Sequence, residues 1–265
     1  MSAVMMQEET VLLRADADGI TTLTLNRPTQ FNSLSEALLA ALQGEFDAIA
    51  RDASVRAVVI AGAGKAFCAG HDLKEMRANP GKATMQQLFR RCARVMTSIA
   101  EMPQPVIARV HGIATAAGCQ LVASCDLAVA AETAKFAVSG INVGLFCATP
   151  AVALGRAMSR KQAMEMLLSG DFIDAAEARA RGLVNRVVAP AGLDAEVKKL
   201  SDSILSKSPL AIAMGKQMFY KQLEMGLDAA YQLAGETMAC NMMAEDAAEG
   251  IDAFMARRAP QWRGR

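Results

Sequence analysis

Apolar and polar positions alternate along this chain in two rhythms, and the switch between them marks its elements. From Val11 to Leu25 the period is two: Asp18-Gly19 supplies a tight turn and Thr22, Leu23, Thr24 and Leu25 alternate, which predicts a hairpin. The period then lengthens. Ser33 and Glu36 have capping-box spacing, and Leu38, Leu42, Phe46 and Ile49 form a helical stripe that ends before an apolar strand at Val55–Ile60. Another helix is predicted over Thr84–Glu101, where Met85, Leu88, Phe89, Cys92, Val95, Met96 and Ile99 keep to one face. Pro103 and Pro105 close it and open a strand at Val106–Val110.

Further along, Leu127–Ala130 reads as a short strand, Phe136–Phe146 as irregular, and Thr149-Pro150 as a helix start with proline at N1. Asp174 and Glu177 predict a capped short helix that Gly182 stops before a strand at Val184–Val188. No strand pattern follows between Leu193 and Arg258. Strand-helix alternation with an all-helical tail predicts an α/β core over residues 1–192 and a helical domain over 193–265, packed on the core or on a neighbouring subunit.

Composition narrows the partners. With 52% hydrophobic residues, 21% charged residues and a net charge of +1, the chain suits a folded protein that binds small molecules or its own copies, with no nucleic-acid footprint and no membrane-binding charge. The cysteines form no C-x-x-C pair, which points to a reducing compartment, and MSAVMMQEET shows no targeting pattern, so a cytoplasmic location is expected. No apolar run reaches membrane-span length. The 17 methionines read as core filling and subunit packing. On the long helix, Arg90, Arg91 and Arg94 read as a solvated face, with a phosphate patch as the alternative.

Two small-residue segments carry the candidate chemistry: Ala66–Met76 (AFCAGHDLKEM) and His111–Ala130 (HGIATAAGCQLVASCDLAVA), each running from an apolar strand into a helix. Both can present bare backbone N–H groups at a helix start. Two such groups aimed at one point stabilise negative charge on an oxygen, so the pair suggests enolate or oxyanion chemistry on a carbonyl compound. Other signals are weaker. Gly62-Ala63-Gly64-Lys65 lacks both the third glycine of a dinucleotide fingerprint and the hydroxyl residue of a phosphate loop.

These segments, together with FAVSGINVGLF (Phe136–Phe146) and EGIDAFMARRAPQW (Glu249–Trp262), resemble the enoyl-CoA hydratase/isomerase, or crotonase, family over nearly the whole chain. The resemblance implies a spiral of ββα repeats with a helical C-terminal trimerisation domain, assembled as a trimer or hexamer, and an acyl-CoA thioester as ligand. Coenzyme A enters as part of the substrate, and no separate cofactor or metal is implied. The amides that would hold the thioester oxygen map to His71 and Ala117. Ala69, Asp72, Leu73 and Lys74 match positions around the coenzyme, Gly70 and Gly118 are small enough for close approach to the main chain, and Arg257 is a candidate contact for the nucleotide phosphate.

One departure from the family pattern changes the expected chemistry. Where hydratases carry two glutamates that activate and position water, this chain has Gln120 and Gly140. An amide does not titrate near neutral pH and glycine has no side chain. Standard hydration is therefore not expected, and the alternatives are an enolate-stabilising enzyme or a non-catalytic acyl-CoA-binding or regulatory protein. Both histidines, His71 and His111, lie in the two segments. For His71 an acid/base role and a merely steric one are both open, and His111 reads as bonded to nearby backbone. Cys119 and Cys147 are poor nucleophile candidates because no base accompanies them.

Overall fold

The structure, a computed structural model, describes residues 10–265. Most of the MSAVMMQEET stretch, on which the targeting expectation rests, lies outside the described residues. The hairpin forms as expected from β1 (Leu12–Ala17) and β2 (Ile20–Leu25), with Asp18 and Gly19 both at positive φ in the turn. Helix α1 (Glu36–Ile49) follows, then β3 (Ala57–Gly62), β4 (Ala66–Cys68), α2 (Leu73–Ala78) and α3 (Lys82–Glu101). The next strands are β5 (Val106–Val110) and β6 (Ile113–Thr115), which lead into α4 (Ala117–Ser124). Then come β7 (Leu127–Ala131), β8 (Lys135–Ala137), a 3-10 turn at Ser139–Val143, α5 (Ala148–Ala157) and α6 (Arg160–Ser169). After β9 (Ile173–Asp174), α7 (Ala175–Ala180) and β10 (Arg186–Val188) the described chain is helical: α8 (Leu193–Leu205), α9 (Pro209–Gln222), α10 (Leu227–Met242) and α11 (Glu245–Met255).

Successive strands enter two different sheets. The six-stranded sheet runs β1-β2-β3-β5-β7-β10 and the four-stranded sheet β4-β6-β8-β9. Each pair β3/β4, β5/β6 and β7/β8 therefore gives one strand to each sheet before the chain moves on, and parallel pairing from pair to pair builds a spiral. The corners are tight. A β-carbon on Gly62 would lie 2.6 Å from the Phe67 carbonyl oxygen, and one on Gly112 would lie 2.4 Å from that of Lys65. Only glycine fits there.

Leu23, Leu25, Leu38, Leu42, Phe46, Ile60, Phe67, Ile99 and Phe136, all buried, build the main core between the sheets and α1, α3 and α4. A smaller core joins Val59, Ile107 and Val129 on the outer face of the long sheet to Leu193, Val197 and Leu200 of α8. Helix α9 is tied to the core by a buried polar knot: Lys216 Nζ donates to Asp126 Oδ2 at 2.7 Å and to the Gln104 carbonyl at 2.8 Å, and Tyr220 donates to Asp126 Oδ1 at 2.8 Å. Asp126 Oδ2 also accepts the Val106 N–H at 2.7 Å, so one carboxylate links α9 to the start of β5.

Some boundaries depart from the expectations. Ser35, not Ser33, caps α1 by accepting the Leu38 N–H, because the Ser33 side chain is engaged with Arg27 and Asp72. Pro150 stands two residues past the first residue of α5, Ala148, rather than at N1. It is tolerated because N–H groups throughout the first turn lack intrahelical partners. Part of the Phe136–Phe146 stretch is regular, in β8 and the 3-10 turn. The strand expected from Val184 begins at Arg186, as Asn185 turns its side-chain oxygen to the Ala128 N–H. Asp174 caps α7 as expected, and Gly182 follows it at φ +88°.

The methionines divide. Met96, Met102, Met158 and Met166 are buried, whereas Met225, Met238, Met242, Met243 and Met255, in the C-terminal helices and the turns between them, are exposed. Among the described residues, no helix is long and apolar enough to cross a membrane.

Candidate active site

The two small-residue segments meet. Strand β4 pairs in parallel with β6, so the turns that follow them lie side by side. A β-carbon on Gly70 would sit 2.9 Å from Ala116 Cβ, 3.1 Å from the Thr115 carbonyl oxygen and 3.2 Å from the Ala117 nitrogen. Gly70 has φ +94°, a conformation open to glycine at little cost. Gly118 is held still more tightly, since a β-carbon there would lie 2.1 Å from the Cys68 carbonyl oxygen.

Both candidate amides are free of backbone partners for structural reasons. Leu34 donates its N–H to the Gly70 carbonyl at 2.7 Å and accepts the Asp72 N–H at 3.3 Å. In such a parallel bridge the central residue, His71, turns its own N–H to the opposite side. Ala117 is the first residue of α4, where the N–H has no acceptor inside the helix and the helix dipole is positive. The preceding residue is strained: Ala116 takes φ 50° and ψ −121°, a region alanine rarely enters. Its N–H is anchored on the Ala137 carbonyl at 3.0 Å, so the turn that aims the Ala117 amide is pinned by β8.

The side chains around this point are neutral or already engaged. His71 lies edge-on to Phe89 of α3, with ring centroids 5.5 Å apart, and neither ring nitrogen has a hydrogen-bond partner of good geometry. Burial pushes its pKa below the ordinary histidine value, with the Leu34 backbone partly opposing, so the ring is neutral at pH 7. His111 Nε2 meets the Gly64 carbonyl oxygen at 2.9 Å, and burial also lowers its pKa. Its role is to fasten the segment. Gln120 is buried and its side-chain oxygen is unpaired.

Gly140 faces Cys147 and Leu145: a β-carbon there would be 2.7 Å from both the Cys147 Sγ and the Leu145 carbonyl oxygen. A glutamate could not simply replace it. Burial raises the Cys119 thiol to about 12 and also raises that of Cys147, so both sulfurs are protonated at neutral pH.

The nearest carboxylates are committed elsewhere. Asp72 caps α2 through the Lys74 N–H at 3.0 Å and pairs with Arg27 at 2.9 Å. Burial acts to raise its pKa, but Arg27 and the helix N–H groups prevail and hold it below the usual carboxylate range. Glu75 accepts the Glu36 N–H at 2.9 Å. Ala69, next to Gly70, is half-buried, Leu73 and Lys74 are exposed at the start of α2, and Arg257 is exposed beyond α11 at φ 52°.

Two partners were not evident from the chain alone. One is Arg27, whose only hint is the capping geometry of Asp72. The other is the Thr115–Ser139 hydroxyl pair, 2.8 Å apart, which ties β6 to the 3-10 turn carrying Gly140. Of the arginines on α3, Arg91 pairs with Glu36 and Arg94 with Asp47, all four partly exposed, which is a solvated face.

A family model described as enoyl-CoA hydratase/isomerase matches residues 15–265. The chain belongs to the enoyl-CoA hydratase/isomerase family. Within that family it is 45% identical over 245 residues to the rat enoyl-CoA hydratase domain-containing protein 3, mitochondrial, covering 92% of this chain and 82% of that one. It is also 37% identical to the 2,3-dehydroadipyl-CoA hydratase of Escherichia coli K12, over 92% of this chain and 94% of that one. Among solved structures, an enoyl-CoA hydratase from Mycobacterium smegmatis superposes with a TM-score of 0.95 at 59% identity, covering 96% of this chain and 99% of that one. Human enoyl-CoA hydratase domain-containing protein 3 superposes with 0.93 at 43% identity, covering 96% and 100%. The spiral described above is thus the crotonase fold.

Proposed function

We propose that this chain binds an acyl-CoA thioester and stabilises its enolate or oxyanion at the backbone N–H groups of His71 and Ala117. The observation that supports this reading is the approach of Gly70, the residue before His71, to the start of α4, where a β-carbon on Gly70 would lie 3.2 Å from the Ala117 nitrogen. Removing one donor of such a pair typically costs about 2.7–4 kcal/mol of transition-state stabilisation. Ala69, Gly70, Asp72, Leu73, Lys74, Gly118, Gln120, Gly140 and Arg257 are the proposed surroundings of the substrate, with Asp72 acting through its main chain because its carboxylate is taken by Arg27. Standard hydration is disfavoured, since Gln120 and Gly140 supply no acid/base group.

A screen of purified protein against crotonyl-, 3-enoyl- and malonyl-type CoA esters, with calorimetry beside it, tests the reading. Turnover of a CoA ester supports it. Binding without turnover of any ester favours the second reading, a non-catalytic acyl-CoA-binding or regulatory protein, which the missing glutamates support. Robust hydration of crotonyl-CoA that disappears in Gln120→Ala contradicts the account of the site.

The helices from residue 193 onward are proposed to form an oligomerisation domain of a homotrimer or hexamer. Phe219, Leu227, Tyr231, Met238, Met243 and Phe254, all exposed and apolar or aromatic, support that reading. Light scattering on the purified protein measures it. The free cysteines support a reducing compartment, here proposed as the cytoplasm, and fluorescent tagging in the source cell tests it.

A further inference from the structure

Residues 27–34 run along the first small-residue segment and fasten it. Ala69 donates its N–H to the Phe31 carbonyl at 3.0 Å, Leu34 donates to the Gly70 carbonyl at 2.7 Å, and Asp72 donates to the Leu34 carbonyl at 3.3 Å. Asn32, fully buried, commits its whole side chain here. Its Nδ2 donates to the carbonyls of Ala63 and Ala66, each at 2.8 Å, and its Oδ1 accepts the Arg27 N–H at 2.9 Å. This brace is strained. Of the five non-glycine residues at positive φ among the described residues, Phe31 (51°) and Asn32 (55°) lie in it, and Ala116 (50°) precedes the other hole amide. Strain of this kind persists only where the surroundings over-determine it, and it gathers at functional sites.

Arg27 stands at the head of the brace. Its Nη1 donates to the Ser33 carbonyl at 2.7 Å and to the Ser33 hydroxyl at 3.1 Å, while its Nη2 donates to Asp72 Oδ2 at 2.9 Å. The Ser33 carbonyl and the Leu34 N–H belong to one planar peptide unit and point opposite ways, as do the Gly70 carbonyl and the His71 N–H of another. A single line of donors therefore runs from the guanidinium through these two peptides and ends on the His71 N–H. Each link polarises the next in a low-dielectric interior. The side chains of Arg27 and Asp72 are only 16% and 12% exposed, so salt and water screen the head of the line poorly.

We infer, resting on the thioester reading above, that Arg27 is a positioning residue for the hole: it aims the His71 N–H through two peptide units and strengthens it as a donor to the thioester oxygen. Arg27 acts here without touching the substrate. The Ala117 amide is directed otherwise, by the start of α4 and by the bond from Ala116 to the Ala137 carbonyl. His71 lies before α2, which begins at Leu73, so the brace does for it what a helix does for Ala117. Because Arg27 belongs to the packing that fixes the amide, its loss weakens the hole while the spiral stays intact.

Butyryl-CoA labelled with carbon-13 at the thioester carbon is the probe, followed by isotope-edited infrared spectroscopy, with calorimetry and thermal melting beside it. Hydrogen bonds to the carbonyl oxygen lower its stretching frequency. Bound to the wild-type protein, the ester is expected to absorb below its frequency in water. In Arg27→Met at least half of that shift is lost, while affinity for butyryl-CoA falls by less than about tenfold, because the Ala117 amide remains. Arg27→Lys, which keeps the charge without the planar fork, recovers part of the shift. Arg27→Gln, neutral and still a donor, also loses shift and serves should the methionine variant fail to fold. A lower melting temperature with the full shift kept in Arg27→Met or Arg27→Gln overturns this inference and leaves the thioester reading standing. A wild-type protein that binds butyryl-CoA without any shift, or does not bind it, overturns both.

Discussion

The two halves of the candidate site are built by opposite means. The hole is made of main chain and is over-determined: Gly70, Gly118 and Ala116 are each fixed by contacts from a neighbouring strand or turn. The facing wall is lined by Gln120, Gly140 and Cys147; the Gln120 side-chain oxygen lacks a partner, and the Cys147 thiol donates to the Val138 carbonyl at 3.5 Å. The difference teaches where chemistry can change within one fold. Backbone donors are set by packing that a substitution elsewhere cannot easily undo, while proton-handling side chains can be exchanged one at a time.

The comparison breaks most severely at Gly118. In Gly118→Ala the new methyl meets the Cys68 carbonyl at 2.1 Å, closer than any real contact, so β4 and α4 must separate. Destabilisation of about 3 kcal/mol or more is expected, at the upper end for overpacking, and urea denaturation measures it. Gly140→Ala probes the wall. Its β-carbon meets a movable thiol and a less movable carbonyl, both at 2.7 Å, so a loss of about 1–3 kcal/mol is expected with the hole amides left in place. If Gly118→Ala proves the milder of the two, the contrast between a rigid hole and an adaptable wall is lost.

Ala116→Gly sharpens the contrast from the other direction. Relief of the positive φ should stabilise the protein by about 1 kcal/mol, net of the greater freedom of the unfolded glycine chain. A higher melting temperature checks it, and a lower one means that the methyl contact with Gly70 outweighs the strain.

The smallest expected effect is on pH dependence. Burial depresses the folded-state pKa of both histidines, so the unfolded chain binds more protons once pH falls below the ordinary histidine value. Their stabilising contribution is full above that value and declines as pH drops toward the folded pKa. Melting temperatures from pH 7 to pH 5 should therefore fall, and fall less in His71→Gln. Equal slopes in the two proteins would place the His71 ring in water.

Much of this was legible in the chain. The period-two and helical stripes located β1, β2, α1 and α3, and apolar runs and caps located β3, β5, β7, α5, α7 and β10, whereas β6, β8, β9 and α6 gave no signal; the small-residue segments marked Gly70, Ala117 and Gly118 because only such residues permit close approach to the main chain. What stayed hidden depended on distant neighbours. Ser33 has the spacing of a cap, yet Arg27 and Asp72 occupy its hydroxyl and the cap passes to Ser35. The short β8 was lost in a stretch whose regularity comes from pairing with β6. The lowered pKa of His71 comes from its burial, with Phe89 of α3 edge-on to the ring, which no local pattern encodes.

The central claim is that main-chain hydrogens at His71 and Ala117 receive a thioester oxygen with no aspartate or glutamate side chain near the reacting carbons. A crystal structure with a bound acyl-CoA tests it most directly. The account predicts the thioester oxygen about 2.7–3.1 Å from both nitrogens, with Gln120 facing the acyl carbons. An oxygen seated elsewhere, or an aspartate or glutamate within hydrogen-bond reach of the α- or β-carbon substituents, would contradict it.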